Sequence, residues 1–119
     1  MNMKISVVIP TLNEAENIQK LIYYLNRNST KGNILEIIVV DACSNDGTAE
    51  LAEMAGARVF HTEKKGRALQ MNIGAHHALG DILYFLHADT LPPRDFDTEI
   101  IRRVKSNSEA GCFIMKFDK

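Results

Sequence analysis

Short apolar runs alternate with amphipathic stretches along the whole chain. Ile5-Ser-Val-Val-Ile9 predicts a first strand, ended by Pro10. Asn13 is placed to cap a helix, with Glu14 and Glu16 in a first turn where acidic side chains suit the dipole. Ile18, Leu21, Ile22 and Leu25 recur at helical spacing and give that helix one apolar stripe. Polar residues 28–33 break it. Leu35 to Val40 predicts a second strand with the tip Asp41-Ala-Cys-Ser44-Asn-Asp46-Gly47-Thr48. Ser44 or Asp46 can cap a helix from Thr48 to Ala55, which Gly56 stops. Arg58 to His61 reads as a short third strand and Arg67 to Ala78 as a third helix. Ile82-Leu-Tyr-Phe-Leu86 is apolar throughout and too short for a typical helix, so it predicts a buried parallel strand. Phe96, Ile100, Ile101 and Val104 predict a fourth helix, with Asp95, Asp97, Glu99 and Glu109 as surface charges. Residues 111–117 read as a last strand.

Strict alternation of strand and helix is the pattern of an α/β fold with a largely parallel sheet. Right-handed crossovers put helices on both faces and bring the polar strand tips to one edge. The 119 residues suit one domain with one core. Hydrophobic content of 45% and charged content of 24% are ordinary for a globular protein. A net charge of −1 gives no bulk attraction for nucleic acid. No apolar run approaches the ~20 residues of a membrane span, and the first apolar piece is too short for a signal-peptide core. The expected location is cytoplasmic. Cys43 and Cys112 form neither a disulfide framework nor a metal pair, and both are expected as reduced thiols.

In an open parallel sheet, ligands bind just outside the carboxyl ends of the strands. The tips Thr11/Asn13/Glu14, Asp41 to Asp46 and His87 to Asp89 converge there. Asp89 either caps the turn before Leu91-Pro92-Pro93 or holds a cation. Neither a G-x-G-x-x-G loop nor a G-x-x-x-x-G-K-[ST] loop is present, which argues against an ordinary dinucleotide or P-loop site. Carboxylates repel phosphate, so a phosphorylated ligand needs counter-charge. A metal at Asp89 and the cations Lys64, Lys65 and Arg67 are the sources, and the helix start at Arg67 adds free amides. These residues compose a nucleoside at Asp41, a diphosphate beside Arg67 and a divalent cation on Asp89. Lys64 and Lys65 taken singly read as solvated loop residues. His87 is a metal ligand or a supporting side chain, and the hard cations favour oxygen ligands over imidazole. His76 and His77 read as surface or packing residues, and His61 carries no assigned role. Cys43 has no paired base that would make it a nucleophile.

Four segments resemble the family 2 glycosyltransferases. They are Val7-Val-Ile-Pro10-Thr11-Leu-Asn13-Glu14, Ile38-Val-Val-Asp41-Ala-Cys-Ser44-Asn-Asp46-Gly47-Thr48, Gly66-Arg67-Ala-Leu-Gln-Met-Asn72-Ile-Gly74-Ala, and Gly80-Asp81-Ile-Leu-Tyr-Phe-Leu-His87-Ala88-Asp89. Their order and spacing match over roughly residues 4–93. Gly-Arg-Ala with Met-Asn, and His-Ala-Asp-Thr, look closest to the subgroup associated with radical-SAM/selenoprotein domains. The resemblance implies a GT-A fold, a three-layer sandwich. It also implies a UDP- or GDP-linked sugar donor, Mn²⁺ or Mg²⁺, and inverting transfer to an acceptor of undetermined class. Carried over by motif, Pro10, Thr11, Asn13 and Glu14 line the nucleoside pocket. Asp41 contacts the base, Ser44 and Asp46 shape its loop, and Arg67 lies near the nucleotide. Asp89, with His87 beside it, stands at the D-x-D motif that binds metal and diphosphate.

This chain departs from the family pattern. The usual D-D-G-S loop is Asp41-Ala42-Cys43-Ser44, and D-x-D is His87-Ala88-Asp89. The family's acceptor half and general base lie beyond D-x-D, where Asp118 is the one acidic residue after Glu109. The expectation is therefore the donor-binding half of a glycosyltransferase. The rival is a non-catalytic nucleotide-binding module. A receiver-like domain would want an acidic cluster at the first strand, where Pro10-Thr11 stand. An uncovered sheet edge would invite self-association.

Overall fold

The elements follow in the order β1 (Ile5–Thr11), α1 (Ile18–Arg27), β2 (Ile34–Asp41), α2 (Thr48–Met54), β3 (Arg58–His61), α3 (Arg67–His77), β4 (Ile82–Phe85), α4 (Phe96–Asn107) and β5 (Phe113–Lys116). This is a computed structural model, and it describes residues 3–107 and 113–116. Glu109, Cys112 and Asp118 lie outside the described residues. All strands are parallel, in the order β3-β2-β1-β4-β5.

Side-chain alternation divides the core into two layers. Ile5, Val7 and Ile9 of β1 pack with the apolar stripe of α1, with Ala52 of α2 and with Phe96, Ile100 and Val104 of α4. Val8, Ile38, Val40, Leu83 and Phe85 face the other way, against Met71, Ile73 and Ala75 of α3. Strands covered on both faces explain why their sequences are continuously apolar. The chain winds outward through β1, β2 and β3, then returns by α3 to place β4 on the far side of β1. That reversal puts the switch point of the sheet between β1 and β4.

Three expectations need correction. First, β1 and β2 run on to Thr11 and Asp41, which pair in register. Pro10 does not end β1. The Val8 carbonyl accepts from Leu86 of the β4 side, so alternation points Pro10 to that side too. The β1–β4 ladder has ended by then, at Val8↔Phe85, so the missing N–H breaks no ladder bond. Second, α1 begins at Ile18 rather than beside Asn13. Asn13 adopts a left-handed φ of 57° and residues 14–17 form a separate turn closed on the Glu14 carbonyl. Third, Asp97 is no surface charge: it is fully buried. Its Oδ2 accepts from the Thr30 N–H at 2.7 Å and from the Asn33 amide at 2.8 Å, pinning the α1–β2 connection to α4. Oδ1 has no partner among the described residues. Asp97→Ala strands both donors and should cost on the order of 2 kcal/mol. Urea unfolding would read this as a lower midpoint at constant slope, and an unchanged midpoint would remove Asp97 from the account.

A second polar tie seats the α3–β4 connection at the amino edge of the sheet. Glu36 accepts from the Ser6 hydroxyl at 2.6 Å, from the Leu79 N–H at 2.6 Å and from the Arg58 guanidinium. Ser6 Oγ in turn accepts from the Gly80 N–H at 2.8 Å. A Cβ at Gly80 would lie 2.7 Å from that oxygen. Burial pushes the Glu36 carboxyl up, but the hydrogen bonds from Ser6, Leu79 and Arg58 together outweigh it and hold the group below the usual glutamate value. Its contribution to stability is present above that usual value and is lost as pH falls through the lowered one. Stability should therefore fall more steeply in the native protein than in Glu36→Gln over the acid window that opens below the usual glutamate value. Equal slopes in urea titrations across that window would count against this tie.

Candidate functional site

The carboxyl ends of β1 and β2 carry two loops stitched together by side chains. Asp41 is 1% exposed at the end of β2. Its Oδ1 accepts from the Thr11 hydroxyl at 2.7 Å and from the Ser44 hydroxyl at 2.6 Å, and its Oδ2 from the Ser44 N–H at 2.9 Å. Three of its four acceptor directions are thus filled, and one on Oδ2 remains. Ser44 Oγ accepts from the Asn13 N–H at 2.7 Å, and Asn13 Oδ1 accepts from the Asn45 N–H at 3.1 Å. The Glu14 N–H donates to the Thr48 hydroxyl at 2.9 Å, and the Ala15 N–H to Asp46 at 3.2 Å. The positive φ of Asn13 lets both its N–H and its side chain turn toward the second loop. These loops are cross-linked, so the wall they form is set before any ligand arrives.

Asp46 lies exposed at the start of α2. Hydrogen bonding from Thr48 outweighs the other influences and holds its carboxyl below the ordinary aspartate value. It accepts the Thr48 N–H at 3.1 Å and so does the work of a cap, although Gly47, at φ 88°, stands between it and the helix. Ser44 was the other capping candidate and is spent on Asp41 and Asn13 instead. Cys43 is exposed in a left-handed conformation with φ 57°, and its thiol donates to the Thr62 carbonyl at 3.4 Å. This is the place of the glycine in the D-D-G-S pattern. A glycine would adopt this left-handed backbone at lower cost than cysteine does.

The other candidate residues reach the same edge from α3 and β4. Arg67 is the exposed first residue of α3, and Lys64 and Lys65 are exposed in the loop before it. Past β4, His87 is half-buried, Ala88 is buried and Asp89 is exposed. Asp89 accepts from the Thr90 hydroxyl at 3.3 Å, and the Thr90 N–H closes a turn on the His87 carbonyl at 3.1 Å. The following segment is anchored, since the Tyr24 hydroxyl donates to the Pro92 carbonyl and the Asp95 N–H to the Asn28 carbonyl at 3.1 Å. His77 stacks on Phe60 with ring centroids 4.1 Å apart, in keeping with a packing role.

Among the described residues, no three His, Cys, Asp or Glu side chains gather as a preformed metal cage. Asp89 contrasts with Asp41, because little of its hydrogen-bonding capacity is used among the described residues. A single outward carboxylate fits a hard cation that takes its remaining ligands from a diphosphate and water.

One residue of this edge was not assigned from the sequence. Gln70 is 4% exposed, and its amide reaches carbonyls of both β1 and β2. The available signal was its position one turn after Gly66 and one turn before Gly74, on the face of α3 that is buried.

Residues 6–119 match the family described as Glycosyl transferase family 2. The chain belongs to glycosyl transferase family 2. A similar relative is a dolichol-phosphate mannosyltransferase of Pyrococcus furiosus, 33% identical over an alignment of 112 positions that covers 90% of this chain and 32% of the relative. The structure of Staphylococcus aureus TarS 1-349 in complex with UDP superposes with a TM-score of 0.79 over 89% of this chain and 33% of that one; at 24% identity it speaks to the fold. The mannosyltransferase PcManGT of Pyrobaculum calidifontis, solved with GDP-Man and Mn²⁺, is 28% identical, with a TM-score of 0.70 over 79% of this chain and 30% of that one. The family 2 chain has the GT-A architecture expected from its sequence. It spans a third or less of the length of these and other curated relatives it matches. Among its described residues, no helix is long and apolar enough to cross a membrane.

Proposed function

We propose that this chain is the donor-binding domain of a metal-assisted glycosyltransferase using a UDP- or GDP-linked sugar. The observation that carries this reading is the cross-linked pair of β1 and β2 tips beside a switch point whose other bank presents Asp89. Pro10, Thr11, Asn13 and Glu14 line the nucleoside side. The remaining acceptor direction of Asp41 suits a ring N–H of the base, while Ser44 and Asp46 hold the loop. Arg67 and the amides at the start of α3 face the diphosphate. Asp89, with His87 beside it, would hold Mn²⁺ or Mg²⁺, which when bound supplies Lewis-acid charge against the departing diphosphate. Arg67 adds fixed positive charge to the same leaving group. PcManGT, solved with GDP-Man and Mn²⁺, supports the donor class and the metal. The acceptor and the base that deprotonates it belong to the part of the relatives that this chain does not match. The Gly66-Arg67-Ala68 and His87-Ala88-Asp89-Thr90 segments are the grounds for placing it near the radical-SAM/selenodomain-associated subgroup.

Calorimetric titration with UDP and GDP, each with and without Mn²⁺, tests the reading. Metal-dependent binding of at least one nucleotide is expected. A folded chain that binds neither would overturn it. The match to a third or less of the relatives favours, for this chain alone, binding without turnover. Release of free sugar from a donor by the isolated chain would contradict that second reading.

A further inference from the structure

We infer that Gln70 is a positioning residue that sets the spacing between the nucleoside end and the diphosphate end of the donor site. The inference rests on the nucleotide-binding reading above. Gln70 itself is spent within the chain, its amide oxygen and both N–H groups being engaged by backbone partners. Its Nε2 donates to the Val40 carbonyl at 2.8 Å and to the Thr11 carbonyl at 3.0 Å. Its Oε1 accepts the Gly66 N–H at 3.1 Å. The Thr11 carbonyl also accepts the Ala42 N–H at 3.0 Å, so the amide sits where the two strands end their ladder. Gln70 therefore fastens one end of α3, where Arg67 stands, to the two strand tips that carry Thr11 and Asp41.

A buried amide is unfavourable unless each polar atom is used, and here the oxygen and both N–H groups are. An apolar side chain would fill the same space without specifying where α3 sits along the sheet. The other bonds that tie these tips together join the β1 and β2 loops to each other. Gln70 joins both strands to the helix start. A shift of about 1 Å at the α3 start would leave the base and the diphosphate unable to engage together.

The test is Gln70→Met, which keeps the volume and removes the amide. With Mn²⁺ present, affinities for UDP and GDP are measured by calorimetry, and those for uridine and guanosine by NMR titration. Amide hydrogen exchange is followed at Gly66. The expected result is a loss of about tenfold or more for the nucleoside diphosphate, with the nucleoside changed by less than about threefold. The Gly66 amide should lose protection. Equal weakening of both ligand classes, or no weakening, would overturn the inference, since a merely structural role predicts one of those. Should Gln70→Met fail to fold, Gln70→Asn, one methylene short, is expected to give the same split. If the native chain binds neither nucleotide, the donor-site reading falls. Exchange then decides the fastening by itself: lost protection confined to the α3 start supports it, and unchanged protection sinks it.

Discussion

Gly74→Ala is expected to destabilise this protein by about 2 kcal/mol or more. The direction is opposite to that of helix propensity, which favours alanine over glycine by about 1 kcal/mol. Packing decides the sign. A Cβ at Gly74 would lie 2.3 Å from Val8 Cγ1 and 3.3 Å from both Val8 Cγ2 and Val40 Cγ2. Val8 and Val40 are fully buried in adjacent central strands, so neither can move aside cheaply. The helix must lift, and α3 is the helix packed on this face of the sheet. Lifting α3 also displaces Gln70, which lies one turn away on the same buried face. Urea unfolding of Gly74→Ala and of Gly74→Ala combined with Val8→Ala checks the cause. The double variant should be less destabilised than the sum of the two single ones, because the second truncation empties the space that the new methyl needs. Additive losses would show that the clash is not the source.

Asp89→Ala is expected to abolish the metal-dependent part of UDP or GDP binding, a loss on the order of 100-fold in the presence of Mn²⁺. Stability should change by less than about 0.5 kcal/mol, since the side chain is exposed and its hydrogen bond from Thr90 is long. That contrast between ligand binding and folding is the informative feature. Asp41→Ala would confound the two, because Asp41 anchors Thr11 and Ser44 inside the loop pair. Titration of the Asp89 variant with and without Mn²⁺ should give nearly the same weak affinity. A variant that still binds more tightly with Mn²⁺ would move the cation to other residues of this edge.

Much of the architecture was written in local pattern. The apolar stripe Ile18, Leu21, Ile22 and Leu25 is the buried face of α1. The run from Ile82 is the buried strand β4, and Arg58–His61 is β3 as expected. Strand and helix periods differ, so burial leaves a readable trace in the order of residues, and alternation of the two then leads to a parallel α/β sheet. The polar tips were legible for the same reason: a run that must be apolar ends where a carboxylate appears. The residues quoted for the family resemblance lie in the matched range, and the family itself was legible from them.

What the pattern did not carry is the pairing of residues far apart in the chain. Gln70 bonds to Thr11 across 59 positions, and Asp97 to Thr30 across 67. A buried glutamine and a buried aspartate look, in sequence, like any polar residue on a helix. Only the assembled layers show which polar side chains have traded water for distant backbone groups. Thr11 and Asp41 extended their strands because each found the other in register. Cys43 took a glycine-like backbone because the surrounding loop bonds hold it there. Period and composition thus determined the elements, their order and the edge where the polar strand tips gather. Tertiary structure alone decided which polar groups are consumed by the fold and which, Asp89 above all, are left facing outward. The reason is that hydrogen-bond satisfaction is a property of neighbours in space, whereas hydrophobic periodicity is a property of neighbours in sequence.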